Sequence, residues 1–368
     1  MGSLAIGLMS GTSGDGVSAA LVDFRNRSFR LLAYQTSPYP RALRERISRP
    51  LDLSVDEISS LNMKLGLIFA GAALKIIRKT RVSPQKIKVI GSHGQTIYHG
   101  PRDPVPSTFQ IGEAGVIAEQ TKIPVVSDFR PQDIALGGEG APLIPFFDHY
   151  FYGKGPVRAF QNIGGIANVT ITGRGFKSPI AFDTGPGNCL IDLAIQKITR
   201  GRLSHDPSGK WATRGRINSK RLRSMIRHPY FVRHPPKSTG REEFGEKFLK
   251  GYLGAWLIRS PFDSLATLTY LTAVTIYESL RRFSPSPLKE LIVSGGGVRN
   301  RTLMKYLEQL FFPVPVHSVE EWGIPAQAKE PIAFAFLALR ALEGKINHLP
   351  QTTGAHSASI LGKITRPA

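Results

Sequence analysis

The chain has 368 residues, 41% hydrophobic and 20% charged, which is enough apolar material for two sizeable cores and argues against low-complexity disorder. Its longest apolar stretches, Leu67 to Ile77 and Ile332 to Leu342, are broken by Lys75 and Arg340 and fall short of the ~18 residues of a membrane span, so no membrane partner is expected. The formal charge is +21, and Lys197 to Arg241 holds 13 basic residues against the single acid Asp206; without a helix-turn-helix, RNA-recognition or zinc-finger pattern this reads as a solvated face before a polyanion groove.

The first element expected is a β-hairpin over Leu4 to Phe24, because Leu4, Ile6, Leu8 and Val17, Ala19, Leu21 keep strand spacing. Its turn, Ser10-Gly11-Thr12-Ser13-Gly14-Asp15-Gly16, is longer and more polar than a hairpin needs. Small residues there admit close approach of backbone N–H groups to a phosphate chain, and Asp15 can face a metal; an ordinary glycine-rich turn accounts for the same residues equally well. The start shows no basic n-region and cleavage site, and position 6 is isoleucine where myristoylation wants Ser or Thr.

Phe29 to Ser37 adds a strand, and Ser54-Val55-Asp56-Glu57 is a capping box opening a helix to about Arg78. Lys86 to Gly91 is a buried strand running into the polar cluster Ser92-His93-Gly94-Gln95-Thr96, placed where strand becomes loop. Val125 to Arg130 repeats that design, and the loop Gly137 to Pro142 marks the expected domain boundary. Phe160 to Ile171 is again strand, glycine turn and strand, followed by Ile180 to Asn188. Two such hairpins imply a duplicated architecture. A helix is expected from Cys189 to Thr199, another capped by Asp263 or Ser264 and ending near Phe283, then the strand and glycines Glu290 to Asn300, a helix from about Arg301 to Phe311, and a last helix Pro331 to Glu343 preceded by Glu330. The single cysteine, Cys189, excludes an internal disulfide and fits a reducing cytoplasm.

Walker, GxGxxG, HExxH, paired CxxC and GxSxG patterns are all missing, which removes motif support for P-loop, Rossmann, common zinc-site and serine-hydrolase readings. What remains is glycine-rich turns at Gly11, Gly164 and Gly295, each after an apolar strand, together with carboxylates on loops. That set suits phosphoryl transfer, where catalysis is mostly positioning and charge neutralisation.

The stretches GLMSGTSGDGV (7–17), GSHGQT (91–96), DFRPQDIALGGEGAPLIP (128–145), NIGGIANVT (162–170), FDTGPGN (182–188), PPKSTGRE (235–242) and SGGGVRN (294–300) resemble, in order and nearly end to end, the anhydro-N-acetylmuramic acid kinase family of the actin, sugar-kinase and heat-shock ATPase superfamily. The resemblance implies an α/β fold of two actin-like domains, with duplicated mixed β-sheets flanked by helices and an interdomain cleft. The N-terminal domain is expected over 1–130 plus about 346–368, and the C-terminal one, with the nucleotide platform, over 131–345. It implies ATP with Mg²⁺ as cofactor, and a cytoplasmic enzyme that opens 1,6-anhydro-N-acetylmuramic acid with water and phosphorylates O6. A homodimer is a candidate assembly.

Carried over by residue, Asp183 resembles the general base, and a carboxylate just past a strand end is well placed for that role. Gly11, Thr12, Ser13, Gly14, Asp15, Gly16, Asn162, Gly164, Gly165, Gly185, Gly187, Asn188, Gly295, Gly296 and Gly297 are the expected ATP and phosphate contacts, with Asp15 orienting the metal directly or through water. His93, Gln95, Thr96, Asp133 and Glu330 are the expected sugar contacts. Arg241 and Lys237 either meet the lactyl carboxylate or lie on the surface, and Cys189 is core packing. The rivals are a relative acting on another sugar or a carboxylate, and a nucleotide-gated binding protein using its basic segment on a polyanion.

Overall fold

The computed structural model describes residues 2–11 and 14–368, so the candidate phosphate contacts Thr12 and Ser13 lie outside the described residues. The chain forms two compact units, Met1–Phe151 with Gln327–Ala368, and Tyr152–Ala326.

In the first unit β1 (Ser3–Ser10), β2 (Gly16–Arg25) and β3 (Ser28–Pro38) make an antiparallel meander. Strand β4 (Ile87–Gly100) lies parallel to β1, with β5 (Ser107–Ile111) antiparallel to its far end and β6 (Val125–Ser127) parallel to its start. The Val55–Thr80 helix connects β3 to β4, and its start is the expected capping box: the Ser54 N–H donates to Glu57 Oε2 at 3.0 Å. By length and composition this helix could cross a membrane, but half of its most apolar window is buried. Leu61, Leu65, Phe69 and Ile76 sit in the core with Ile6, Leu8 and Leu21, each contributing about 1.5–3 kcal/mol on burial.

The Lys329–Leu342 helix packs against β1 and β4. It comes so close that a Cβ at Gly7 or Gly91, which are register partners, would run into the Pro331 or Phe334 carbonyl. Glycine is required there by approach, not by torsion.

In the second unit β7 (Arg158–Ile163), β8 (Ile166–Thr172) and β9 (Ile180–Pro186) repeat the meander, β10 (Glu290–Ser294) lies parallel to β7, and β11 (Val316–Ser318) lies parallel to β10. The order β3-β2-β1-β4-β6 thus recurs as β9-β8-β7-β10-β11, the duplication that the two hairpins imply. Strand β12 (Lys363–Thr365) returns to the first sheet, antiparallel to β6. The α/β class with two mixed sheets flanked by helices is therefore what the chain forms.

Three expectations need correction. Residues 92–96 are not a loop: β4 continues to Gly100, because β5 supplies hydrogen-bond partners for its second half. The helix expected to be capped at Asp263 or Ser264 starts at Pro261 after Ser260; the Asp263 carboxylate instead accepts from the Arg216 N–H at 2.8 Å. The units divide at 151/152 and 326/327, not near 130 and 345. Phe147 and Phe151 pack with Phe24, Phe29 and Phe336, so the segment after Arg130 and the Lys329–Leu342 helix share the first unit's apolar cluster.

Candidate functional site

The turn after β1 is clasped from below. The Gly14 N–H donates to the Gly11 carbonyl at 3.0 Å, and the Tyr39 N–H donates to the Asp15 carbonyl at 2.9 Å. The buried Tyr39 hydroxyl donates to Ser10 Oγ (2.9 Å), which donates to Gln95 Oε1 (2.5 Å) and lies 3.0 Å from the Gly16 carbonyl. Burial pushes the Tyr39 phenol well above its ordinary range, against the opposing Ser10 hydrogen bond, so it stays a donor. Both ends of the glycine turn are therefore tied to one tyrosine, while Asp15 remains exposed.

In the same unit β4 places His93 against Arg130. His93 is buried; its Nδ1 lies 3.0 Å from the Gly94 carbonyl, and its Nε2 faces Arg130 Nε at 3.0 Å. Nδ1 thus carries the proton and Nε2 accepts from the guanidinium. Burial, then the Arg130 charge, lowers the imidazole pKa to about 3, so His93 is neutral. Arg130 is itself lowered by burial to about 10, with Glu330 and Asp133 opposing. Burial raises the Glu330 carboxyl against the pull of Arg130 and Lys329. Glu330 lies in the first turn of its helix, not before it. No sequence pattern singles out Arg130, embedded in DFRP, since an arginine beside a phenylalanine carries no spacing rule. His93 holds it in place.

Asp133 does not present itself to a ligand. It is 0% exposed; its Oδ1 accepts from Thr353 Oγ1 (2.7 Å) and lies 3.0 Å from His348 Nδ1, and its Oδ2 accepts from the Gly140 N–H (2.7 Å). Burial pushes its carboxyl up, but these bonds outweigh burial and hold it below the ordinary value. Asp133, expected as a sugar contact, thus stands in this structure as an internal brace. Gln95 is likewise buried, with Oε1 on Ser10 and Nε2 donating to the Thr96 carbonyl at 3.1 Å, so it supports the turn. Thr96 is half-buried and accepts from Gln110 Nε2 at 3.4 Å.

The second unit brings together the expected nucleotide residues. The N–H groups of Gly187 and Cys189 donate to the Gly165 carbonyl (2.9 and 3.0 Å), that of Asn188 to the Gly164 carbonyl (2.8 Å), and Asn188 Nδ2 to the Ile163 carbonyl (3.2 Å). Gly295 has φ of 82°, and a Cβ there would stand 2.5 Å from Asn162 Oδ1. Asn162, Gly164, Gly165, Gly187, Asn188 and Gly295 thus close on one another, with Gly185 on the adjoining strand and Gly296 and Gly297 in the following helical turn. The result is a platform of backbone where side chains would otherwise stand. Arg241 is exposed beside it, its guanidinium 3.9 Å from where a Gly165 Cβ would be.

Asp183 sits within β9, not past its end as expected. The register between β8 and β9 slips next to it: Asn168 opposes Asp183 while Ala167 opposes Gly185, leaving Thr184 as an extra residue. Such a bulge re-aims the flanking side chains. Thr239 N–H donates to Asp183 Oδ2 (2.9 Å), the Asp183 N–H donates to the Lys237 carbonyl (3.0 Å), and the Tyr230 hydroxyl donates to the Asp183 carbonyl (2.7 Å). The half-buried carboxylate is thereby held by residues about 50 positions away, which no local pattern marks. Lys237 is not on the surface but buried.

Cys189 is buried, its Sγ 3.3 Å from the Phe244 carbonyl, and burial raises its thiol to about 11. In the basic segment Lys220, Arg223 and Arg227 are exposed around a helix that buries Leu222 and Met225. Among the described residues there is no group of three or more His, Cys, Asp or Glu side chains able to hold a metal. Asp15 is a hard, exposed oxygen donor of the kind that pairs with phosphate oxygens and water around Mg²⁺.

The anhydro-N-acetylmuramic acid kinase family model matches residues 3–367. Proteins of that name from Caldanaerobacter subterraneus subsp. tengcongensis and Clostridioides difficile are 40% and 39% identical, the first covering 98% of this chain and 96% of the relative, the second 98% of each. The one from Shewanella denitrificans is 41% identical over 97% of this chain and 96% of its own.

Proposed function

The chain belongs to the anhydro-N-acetylmuramic acid kinase family, and from that footing we propose that it converts 1,6-anhydro-N-acetylmuramic acid, water and ATP into N-acetylmuramic acid 6-phosphate and ADP, in the cytoplasm. The observation that carries the reading is Asp183: a half-buried carboxylate on a strand bulge, gripped through Oδ2 and its backbone, within the unit that holds the glycine platform.

Asp183 takes a proton from the water that attacks the anomeric carbon C1. The C1–O6 bond breaks, O6 attacks the γ-phosphorus, and ADP departs with the electrons of the bond to that phosphorus. The glycine turn after β1, braced by Tyr39 and Ser10, offers backbone N–H groups to the transferring phosphoryl group. Mg²⁺ bound with the nucleotide would neutralise phosphate charge, with Asp15 as the protein's ligand, directly or through water. Arg130, oriented by neutral His93, and Glu330 are the proposed sugar contacts, Arg130 suiting the lactyl carboxylate. Arg241, beside the platform, is the proposed cation for the nucleotide's phosphates.

The test is phosphate transfer in ¹⁸O-water with Mg-ATP, comparing wild type with Asp183→Asn. The expected result is label at C1 and phosphate at O6, both lost in the variant. A wild type that makes no sugar phosphate would refute the substrate; a fully active variant would refute the base.

A further inference from the structure

Lys237 is 7% exposed, and among the described residues no carboxylate pairs with it. Its Nζ instead lies among three rings, 4.8 Å from the centre of Tyr230, 5.0 Å from Phe283 and 5.7 Å from Phe182, and 3.5 Å from the Tyr230 carbonyl. An ammonium shut away from water is costly, and an apolar side chain of the same length would fill such a cage more cheaply. The cage also adjoins the proposed base. Phe182 precedes Asp183 in β9, Tyr230 donates to the Asp183 carbonyl, the Lys237 carbonyl accepts from the Asp183 N–H, and Thr239, two residues on, donates to Asp183 Oδ2.

We propose that Lys237 is a positioning residue for Asp183: its caged ammonium anchors the Lys237-Ser238-Thr239 segment, which holds the Asp183 carboxylate in the orientation that proton abstraction requires. This rests on the reading of Asp183 as the base. The ring faces attract the cation and so fix the side chain from three sides, and the nearby charge of Asp183, whose carboxylate the segment's backbone grips, adds a weaker attraction without an ion pair. Loss of the proton removes both attractions together.

The charged and titratable groups around it are Asp183 on β9, Arg282 on the Pro261–Phe283 helix, Arg233 and Tyr230 on the preceding turn, and His234 against the Phe283 ring. Burial lowers the ammonium pKa to about 8, with Arg282 and Arg233 adding to the effect and Asp183 opposing it. The folded value lies below the unfolded one, so the buried charge lowers stability at neutral pH, and that loss is relieved as pH rises through the folded value.

The experiment is kcat against pH from about 6.5 to 9.5 with sugar and Mg-ATP, for wild type, Lys237→Met and Lys237→Arg, alongside their melting temperatures. Wild-type kcat is expected to fall with a midpoint near 8. Lys237→Met should have kcat roughly tenfold lower at neutral pH, without that fall, with KM values within about twofold and an undiminished Tm. Lys237→Arg should keep more of the activity and also lose the fall, since guanidinium does not titrate in this range. A Lys237→Met enzyme that keeps wild-type kcat or the same alkaline fall would overturn the inference. So would one whose Tm and activity drop together at every pH, the mark of a merely structural lysine. The two readings separate cleanly: an active Asp183→Asn removes the base, whereas an inactive Asp183→Asn beside a wild-type-like Lys237→Met removes only the role of Lys237.

Discussion

Replacing Asp133 by Asn should unfold the first unit more readily and leave sugar recognition intact. The native carboxylate takes hydrogen bonds from Thr353 and Gly140 and faces His348 Nδ1 at 3.0 Å with no exposure to solvent. His348 Nε2 accepts from the Ser359 N–H at 2.9 Å, so the proton of that ring is on Nδ1, facing the carboxylate. An asparagine keeping its oxygen on the Gly140 N–H would turn its own N–H groups toward two donors. Breaking one side of a buried charged network costs about 3 kcal/mol. For a unit of this size that is a fall in Tm of about 6–12 °C.

The sign of the pH dependence follows from the depressed carboxyl of Asp133. Its contribution is fully present above the unfolded value of ~3.9 and is lost as pH falls through the lower folded value, so Asp133→Asn should remove part of the wild type's acid sensitivity. Scanning calorimetry is the assay, because Trp211, Trp256 and Trp322 all lie in the other unit and fluorescence would report on that one. A variant with wild-type Tm and a sugar KM raised tenfold or more would refute the brace and restore Asp133 as a sugar contact.

Two further outcomes follow from buried groups. Tyr39→Phe removes the hydroxyl that donates to Ser10 but keeps the backbone bond to Asp15, so the KM for Mg-ATP should rise about fivefold, corresponding to ~1 kcal/mol, with the sugar KM unchanged; an unchanged nucleotide KM would show that the clasp does not shape the turn. Cys189 should react with a disulfide reagent at pH 8 only on unfolding, since its thiol is buried and raised to about 11; rapid labelling of the native protein would contradict that environment.

The elements and their repetition are written into short local stretches of the chain. Strand alternation around Gly11 and Gly164, the Ser54–Glu57 capping box and the glycines after Ser294 are signals spanning a few residues, and local backbone preference decides them. The glycines after these strands are visible for the same reason, because their spacing is local, although an ordinary turn would use glycines in the same places. Which polar groups face outward and which are spent internally depends on contacts between distant parts of the chain. Asp133 meets Thr353 across 220 positions, Ser10 meets Gln95 across 85, and Asp183 meets Thr239 across 56. A carboxylate, an amide or an ammonium looks the same in sequence whether it waits for a ligand or has its hydrogen bonds already filled. The difference lies in partners that sheet pairing and core packing bring together: Asp133 is braced inside the first unit, the Lys237 ammonium is caged by rings, and Arg130 is held against His93.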